Sequence, residues 1–259
     1  MNDDFFAAEI AGAKAGINPV FGEWKQRFDF KPVGRQAKLE VRKKYTDRIR
    51  SLLDNKWLFS GEVKVEFVFH LDVQKILETD QTADLDNLVK TGLDALAGPS
   101  GMFFDDTQVQ CIHSYWLDSQ TDWFEITISG SPDEFVIKPQ VFYEMPDGLY
   151  YPQGPRSWTN EGVVSTEPIF NWTILTQWEY MISQKIKLRH KARKDGYNKL
   201  KAYHHSLLLA PLQRGYHKSR VIEFNCVKRK EWKLERSAWV AANPTATPSE
   251  ALDFIKTAT

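Results

Sequence analysis

Hydrophobic and polar residues alternate with a period of two at several places in the first half of the chain. Trp24, Gln26, Phe28 and Phe30 face one way, and Lys25, Arg27 and Asp29 the other. Val63, Val65, Phe67, Phe69 and Leu71 alternate with Lys64, Glu66, Val68, His70 and Asp72. Phe124, Ile126 and Ile128 alternate with Glu125 and Thr127. Successive side chains on a strand point to opposite faces, so these runs predict strands with one buried face over 24–30, 62–72 and 123–129. A further strand is predicted over 107–116. Between them the spacing becomes helical. Leu39, Val41, Tyr45, Ile49, Leu52 and Leu53 mark a helix over 37–54, and Leu88, Val89, Leu93 and Leu96 one over 86–97. Gly98 supplies a left-handed cap to the second helix, and Pro99 prevents its continuation.

The resulting order, β-α-β-α-β-β, ends near Gly130-Ser131-Pro132. It predicts an α+β class: a mixed sheet with helices packed on it. Residues 1–21 read as an appended helical arm and 22–131 as the first domain. Residues 132–165, rich in Tyr, Pro and Gly, read as a linker with one short strand at 135–143. Residues 166–259 read as a mostly helical, basic C-terminal domain. Thr166-Glu167-Pro168 starts its first helix. A strand at 220–227, a helix at 229–241 and a short helix at 249–256 follow.

Composition adds limits. Apolar residues make up 42% of the 259, too many for a disordered chain. No apolar run approaches the roughly 20 residues that cross a bilayer, so no membrane partner is expected. Met1-Asn2-Asp3-Asp4 lacks a basic region and an apolar core, so it does not read as a signal peptide. Two cysteines exclude a disulfide framework. An intracellular, cytoplasmic setting is expected. The zero formal charge conceals a partition. Residues 1–130 carry 15 basic and 21 acidic side chains, a balance of −6, which leaves +6 for the rest. Within 181–236 there are 16 basic and 4 acidic residues, or +12.

The candidate chemistry concentrates in Asp84-Leu85-Asp86-Asn87, Lys90, Asp94 and the string Phe103 to Val109, which contains Asp105, Asp106 and Gln108. Two carboxylates two apart on a helix diverge by about 200°. Asp84 and Asp86 therefore serve one site only where the loop joins the helix. Lys90 and Asp94 then follow at one-turn intervals on the same edge. Of Asp105 and Asp106, adjacent at a strand start, only one can join them. Three or four carboxylates with a lysine suit metal-assisted phosphodiester hydrolysis. Mg²⁺ takes a few carboxylate oxygens and keeps water, and an ammonium holds a phosphate. Taken singly, each element has an ordinary reading: Asp86 as a helix cap, Lys90 with Asp94 as a surface ion pair, Asp105-Asp106 as turn residues. Their combination separates the two readings.

The combined string resembles the RusA-type Holliday junction resolvases, over roughly residues 22–131. Their pattern reads D-x-D-N-x-x-K, a helix with a further Asp, then D-D-x-Q. The resemblance implies a Mg²⁺-dependent homodimeric endonuclease, with Mn²⁺ as an alternative ion, acting on four-way DNA junctions. It implies Asp84, Asp86 and Asp106 as metal-binding catalytic carboxylates and Lys90 as the catalytic lysine. Asn87 and Asp94 would support them, and Asp105 would face elsewhere. The acidic N-terminal arm and a longer turn from Gly98 to Phe104 depart from the family's pattern.

DNA affinity comes from Lys and Arg neutralising phosphates. Arg42, Lys43 and Arg48 on the first helix offer one basic surface. Lys187, Arg189, Lys191, Arg193 and Lys194 offer another, near Tyr197 and Tyr203. Basic residues among aromatics suit backbone tracking with base stacking. A solvated charged helix is the plain alternative. His204, His205, His217 and Cys226 lack zinc-site spacing. His70 and His113 read as sheet residues near the acidic cluster. Two other functions fit the same residues: a flap or single-strand nuclease, and a non-catalytic DNA-binding protein.

Overall fold

The computed structural model describes residues 17–18, 22–53, 55–79, 84–131, 134–153, 168–207 and 214–244. The helical arm at 1–21, apart from 17–18, and the short helix at 249–256 lie outside the described residues. The chain divides into two compact units, 1–138 and 139–259.

The first unit is α+β. Its strands are β1 (Ile17–Asn18), β2 (Glu23–Phe28), β3 (Trp57–Phe59), β4 (Val63–Leu71), β5 (Val109–Asp118), β6 (Trp123–Gly130) and β7 (Phe135–Ile137). Its helices are α1 (Leu39–Leu52), α2 (Val73–Glu78) and α3 (Leu85–Leu96). Five strands form one sheet in the order β1-β2-β6-β4-β5. Within it, β4 and β5 are the parallel pair, which requires the crossover that α2 and α3 supply. Trp24 pairs with Ile128, Phe28 with Phe124, and Phe67 with Ile126, so the three alternating runs place their apolar faces together.

The helices cover that face. Val65, Phe67, Phe69, Phe124 and Ile126 are fully buried beneath Ile49 of α1 and Leu93, Ala95 and Leu96 of α3. A Cβ on Gly92 of α3 would lie 2.5 Å from the Phe67 ring, so the missing side chain sets how closely helix and sheet approach. Arg50 of α1 donates to the carbonyls of Asp94, Ala95 and Ala97 at 3.4, 3.2 and 2.7 Å. These carbonyls lack helical partners at the end of α3, and a cation suits the negative end of the helix dipole. Gly98 has φ +97°, the left-handed stop expected of it. α1 departs from its pattern in one respect: Leu39, Val41 and Leu52 are exposed, and only Tyr45 and Ile49 are buried.

Two short elements were hidden from periodicity. The polar stretch after β4 forms α2, capped by the Asp72 side chain on the Lys75 N–H at 3.2 Å. Residues 57–59 pair with 135–137 in a two-stranded sheet. That pairing draws the first part of the expected linker into the first unit.

The second unit is mostly helical and basic, as expected, with α4 (Pro168–Lys194), α5 (Lys199–Leu207) and α6 (Arg229–Ala242). It also holds a three-stranded sheet, with β8 (Val141–Glu144) between β10 (Asn225–Val227) and β9 (Tyr150–Gln153). The strands β8 and β9 also fall in the expected linker. Three or four residues are too few to register a period of two. Leu175, Trp178 and Ile182 of α4 bury against Tyr151 and Trp232. The Trp232 indole donates to the Glu144 carbonyl at 3.0 Å. Glu179 accepts from Arg229 at 2.5 Å and from Lys233 at 2.9 Å.

Candidate active site

α3 carries most of the acidic and basic groups in question. The cap position falls on Asp84, whose extended backbone (φ −78°, ψ 93°) precedes the first helical turn. Asp86 lies in that turn. This junction overcomes the 200° divergence: the Asp84 and Asp86 carboxylates come close enough to perturb each other, and the Asn87 side-chain amide donates to Asp84. The contact with Asp86, then the bond from Asn87, holds Asp84 below the ordinary carboxylate range. The contact with Asp84, and its charge, push Asp86 above it. The pair titrates as a unit. Asp86 is exposed and Asp84 is partly buried.

One turn on, about 6 Å along the helix axis, Lys90 joins two elements. Its ammonium lies 2.9 Å from Asp94 on α3 and 2.8 Å from Asp106, which begins the 3-10 turn Asp106–Gln108. Partial burial opposes the charge on Lys90, but the bonds to Asp106 and Asp94 outweigh it and raise the pKa. Asp106 is thus fixed over the edge of α3 by a cross-element ion pair.

Asp105 turns the other way. It is buried and accepts from the Thr107 N–H at 3.0 Å and the Thr107 hydroxyl at 2.5 Å. Gln108 completes the turn. Its oxygen accepts from the N–H groups of Phe104 and Asp105 at 2.7 and 3.1 Å, and its amide donates to the carbonyls of Phe59 and Gly61 at 3.0 and 2.6 Å. Sequence reasoning noted Gln108 only as part of a motif. Its role is to tie the aspartate turn to the β3–β4 connection.

The residues therefore form two neighbouring groups, Asp84-Asp86-Asn87 and Lys90-Asp94-Asp106. Among the described residues, no three His, Cys, Asp or Glu side chains converge closely enough to hold an ion. The donor set nevertheless fits a hard divalent cation. Two neighbouring carboxylates offer the oxygen ligands such an ion takes, and its other positions can stay with water.

Other expected residues divide by setting. His70 stacks on Trp123 at 3.4 Å, and His113 pairs with Glu66 at 2.9 Å. Both lie on the sheet face opposite α3, away from the carboxylates. Lys43 is exposed on α1, Arg48 lies over the Phe30 ring at 4.0 Å, and Arg42 is half-buried with its Nε unpartnered. On α4, Lys187, Lys191, Arg193 and Lys194 are exposed. Arg189 is committed to packing: its Nε and Nη2 each lie 3.2 Å from the Ser206 hydroxyl, and its guanidinium covers Tyr203.

Residues 18–129 match the family model of endodeoxyribonuclease RusA. The match falls within the first unit and covers less than half of the 259 residues. It coincides with the stretch in which the sequence resembles RusA-type resolvases. For that segment it supports, at the level of the family, an endodeoxyribonuclease acting on Holliday junctions, in a group generally dependent on divalent metal. It contains every member of both carboxylate groups. No curated protein matches the chain. No helix among the described residues is long and apolar enough to cross a membrane.

Proposed function

We propose that the RusA-like unit is a Mg²⁺-dependent endonuclease that resolves four-way DNA junctions as a homodimer, each copy making one nick. The observation that carries this reading is the meeting of Asp84 and Asp86 at the start of α3, one turn from a lysine that holds a third aspartate.

Asp84 and Asp86 would hold the ion, with Asn87 fixing the orientation of Asp84. Asp106 would join them once the scissile phosphate competes for Lys90. The ion would supply a hydroxide-like nucleophile and offset charge building on the phosphate. Lys90 is placed to take a non-bridging phosphate oxygen, and Asp94 would retain and orient its ammonium. The exposed bases of α4 would add affinity through the DNA backbone.

The test uses a synthetic four-way junction with Mg²⁺, alongside flap and linear duplex substrates. The junction should be cut by symmetric paired nicks in preference to the others. Asp86→Asn should lower the rate by at least about 100-fold, the scale of losing a main electrostatic contribution. Equal cleavage by wild type and Asp86→Asn would remove the carboxylate pair from the chemistry. Preference for the flap would reassign the substrate.

A further inference from the structure

Beside Asp84 lies a cavity of about 160 Å³ that the carboxylate chemistry does not use. Its apolar surface comes from Pro32, Leu71, Ile76 and Leu88. These residues sit where β2 and β4 end and where α3 begins. Asp84 and Asn87 form the wall shared with the candidate active site. Gly34 lines another part, and a Cβ there would approach only Asn87 and Leu88, both at an ordinary 3.8 Å. The absent side chain at Gly34 therefore leaves the cavity open on that side.

The polar rim is held in place. Lys31 pairs with Asp122 at 3.5 Å, and Lys75 with Asp72 at 3.0 Å. The two aspartates are fixed by backbone as well: Asp72 accepts from the Lys75 N–H at 3.2 Å, and Asp122 from the Asp72 N–H at 3.4 Å. Each carboxylate has about four lone-pair sites, so both keep acceptor capacity towards a guest.

The lining selects among the parts of a nucleic acid. Asp72 and Asp122 balance the two ammonium groups of Lys31 and Lys75, and Asp84 is engaged at the shared wall, so the lining offers no excess positive charge to draw a phosphate. A flat, uncharged group suits an apolar floor with fixed acceptors and donors at its edge. The volume is comparable to a cavity of about 150 Å³ that encloses benzene. An extruded base is read in this way, by apolar contact on its face and hydrogen bonds on its edge.

We infer that this cavity receives a single unpaired nucleobase next to the scissile phosphate. The inference rests on the nuclease reading of the adjoining carboxylates. The pocket would fix where along the strand the phosphate meets Asp84, Asp86 and Lys90.

Two measurements test it separately from that reading. The first is junction cleavage in Mg²⁺ with an abasic residue placed in turn at each position within two nucleotides of the cut. Removing one particular base should slow wild type about tenfold. In Gly34→Leu, whose Cβ would make only ordinary contacts and whose side chain would intrude on the cavity, the same removal should cost less than twofold. Ile76→Trp, filling it from the other side, should behave likewise, so a folding defect in one variant leaves the other. The second measurement needs no cleavage. A junction carrying 2-aminopurine at those positions is bound in Ca²⁺, and its fluorescence should rise at least twofold at one position with wild type but not with Gly34→Leu. Fluorescence that responds without any cleavage would uphold the pocket and overturn the nuclease reading. Cleavage that is indifferent to every base removal, with no fluorescence response, would overturn the pocket and leave the nuclease reading standing. An equal response in wild type and both filled variants would also overturn the pocket.

Discussion

Gln108 is 1% exposed and satisfies four backbone groups at once. An amide can do this because it carries both donor and acceptor. Gln108→Leu keeps much of the volume and strands two N–H groups and two carbonyls. Unpaired buried polar groups cost about 1–3 kcal/mol. The unfolding free energy of Gln108→Leu from urea denaturation should fall by at least about that much, and that of Gln108→Glu further, because a carboxylate cannot donate to Phe59 and Gly61. A variant as stable as wild type would show that the turn is held by other means. The motif letters alone did not disclose this. Sequence placed Gln108 beside the carboxylates, but a glutamine that fixes a turn and one that touches substrate have the same spelling.

At the scale of elements, the closest approach between helix and sheet is at Gly92 against Phe67. Gly92→Ala gains about 1 kcal/mol of helix propensity. It also forces a methyl group into a buried ring, and overpacking costs about 1–3 kcal/mol. Thermal denaturation should show a net loss, and Phe67→Leu should recover part of it in the double variant. Additive single and double effects would mean that the two residues do not meet. Lys138, which follows β7, gives a pH signature. Its ammonium donates to the Gly101 carbonyl at 2.8 Å, and burial lowers its pKa from the usual 10.5 to about 8. Between those values the unfolded chain holds a proton that the folded chain has released, so stability rises with pH across that window. The slope is at most about 1.4 kcal/mol per pH unit. Urea midpoints taken from pH 7 to 10.5 should rise for wild type relative to Lys138→Met, and a constant difference would contradict the shift. Among the long elements, β2, β4, β6 and α3 were legible because each carries a full apolar stripe. β2, α1, β4, α3, β5 and β6 appear where the periodicity places them. The strands predicted at 135–143 and 220–227 contain β7, part of β8 and β10, but β3, β9 and α2 were not foreseen, since so few residues carry no full period.

For the whole molecule, the division of charge matches the division into units. The first unit holds the carboxylates, and α4 of the second presents Lys187, Lys191, Arg193 and Lys194 to solvent. If these bind DNA backbone, replacing all four with Gln should weaken junction binding. It should also flatten the dependence of log K on log salt by about 0.9 for each phosphate no longer neutralised. A titration with unchanged slope would assign these bases to solvent alone. The site was legible in the same uneven way. Asp86, Lys90 and Asp94 were readable as one edge because helical spacing fixes their relations, whereas Asp84 depends on where the loop enters the helix. The cavity was not, because Lys31, Asp72 and Asp122 come from three separate strand ends that only the folded sheet gathers.

The Gln108 clamp bears on how such a chain would change over time if its chemistry were no longer needed. Selection for a stable fold acts on Gln108 whether or not DNA is cut, whereas the partly buried Asp84 and the exposed Asp86 lie outside the core and serve the fold less. A lineage that lost the reaction would therefore retain the glutamine and let the acids drift. Descendants keeping Gln108 without Asp84 and Asp86 would be folded proteins that no longer cut, and the most buried letter of the motif would be its poorest witness to activity.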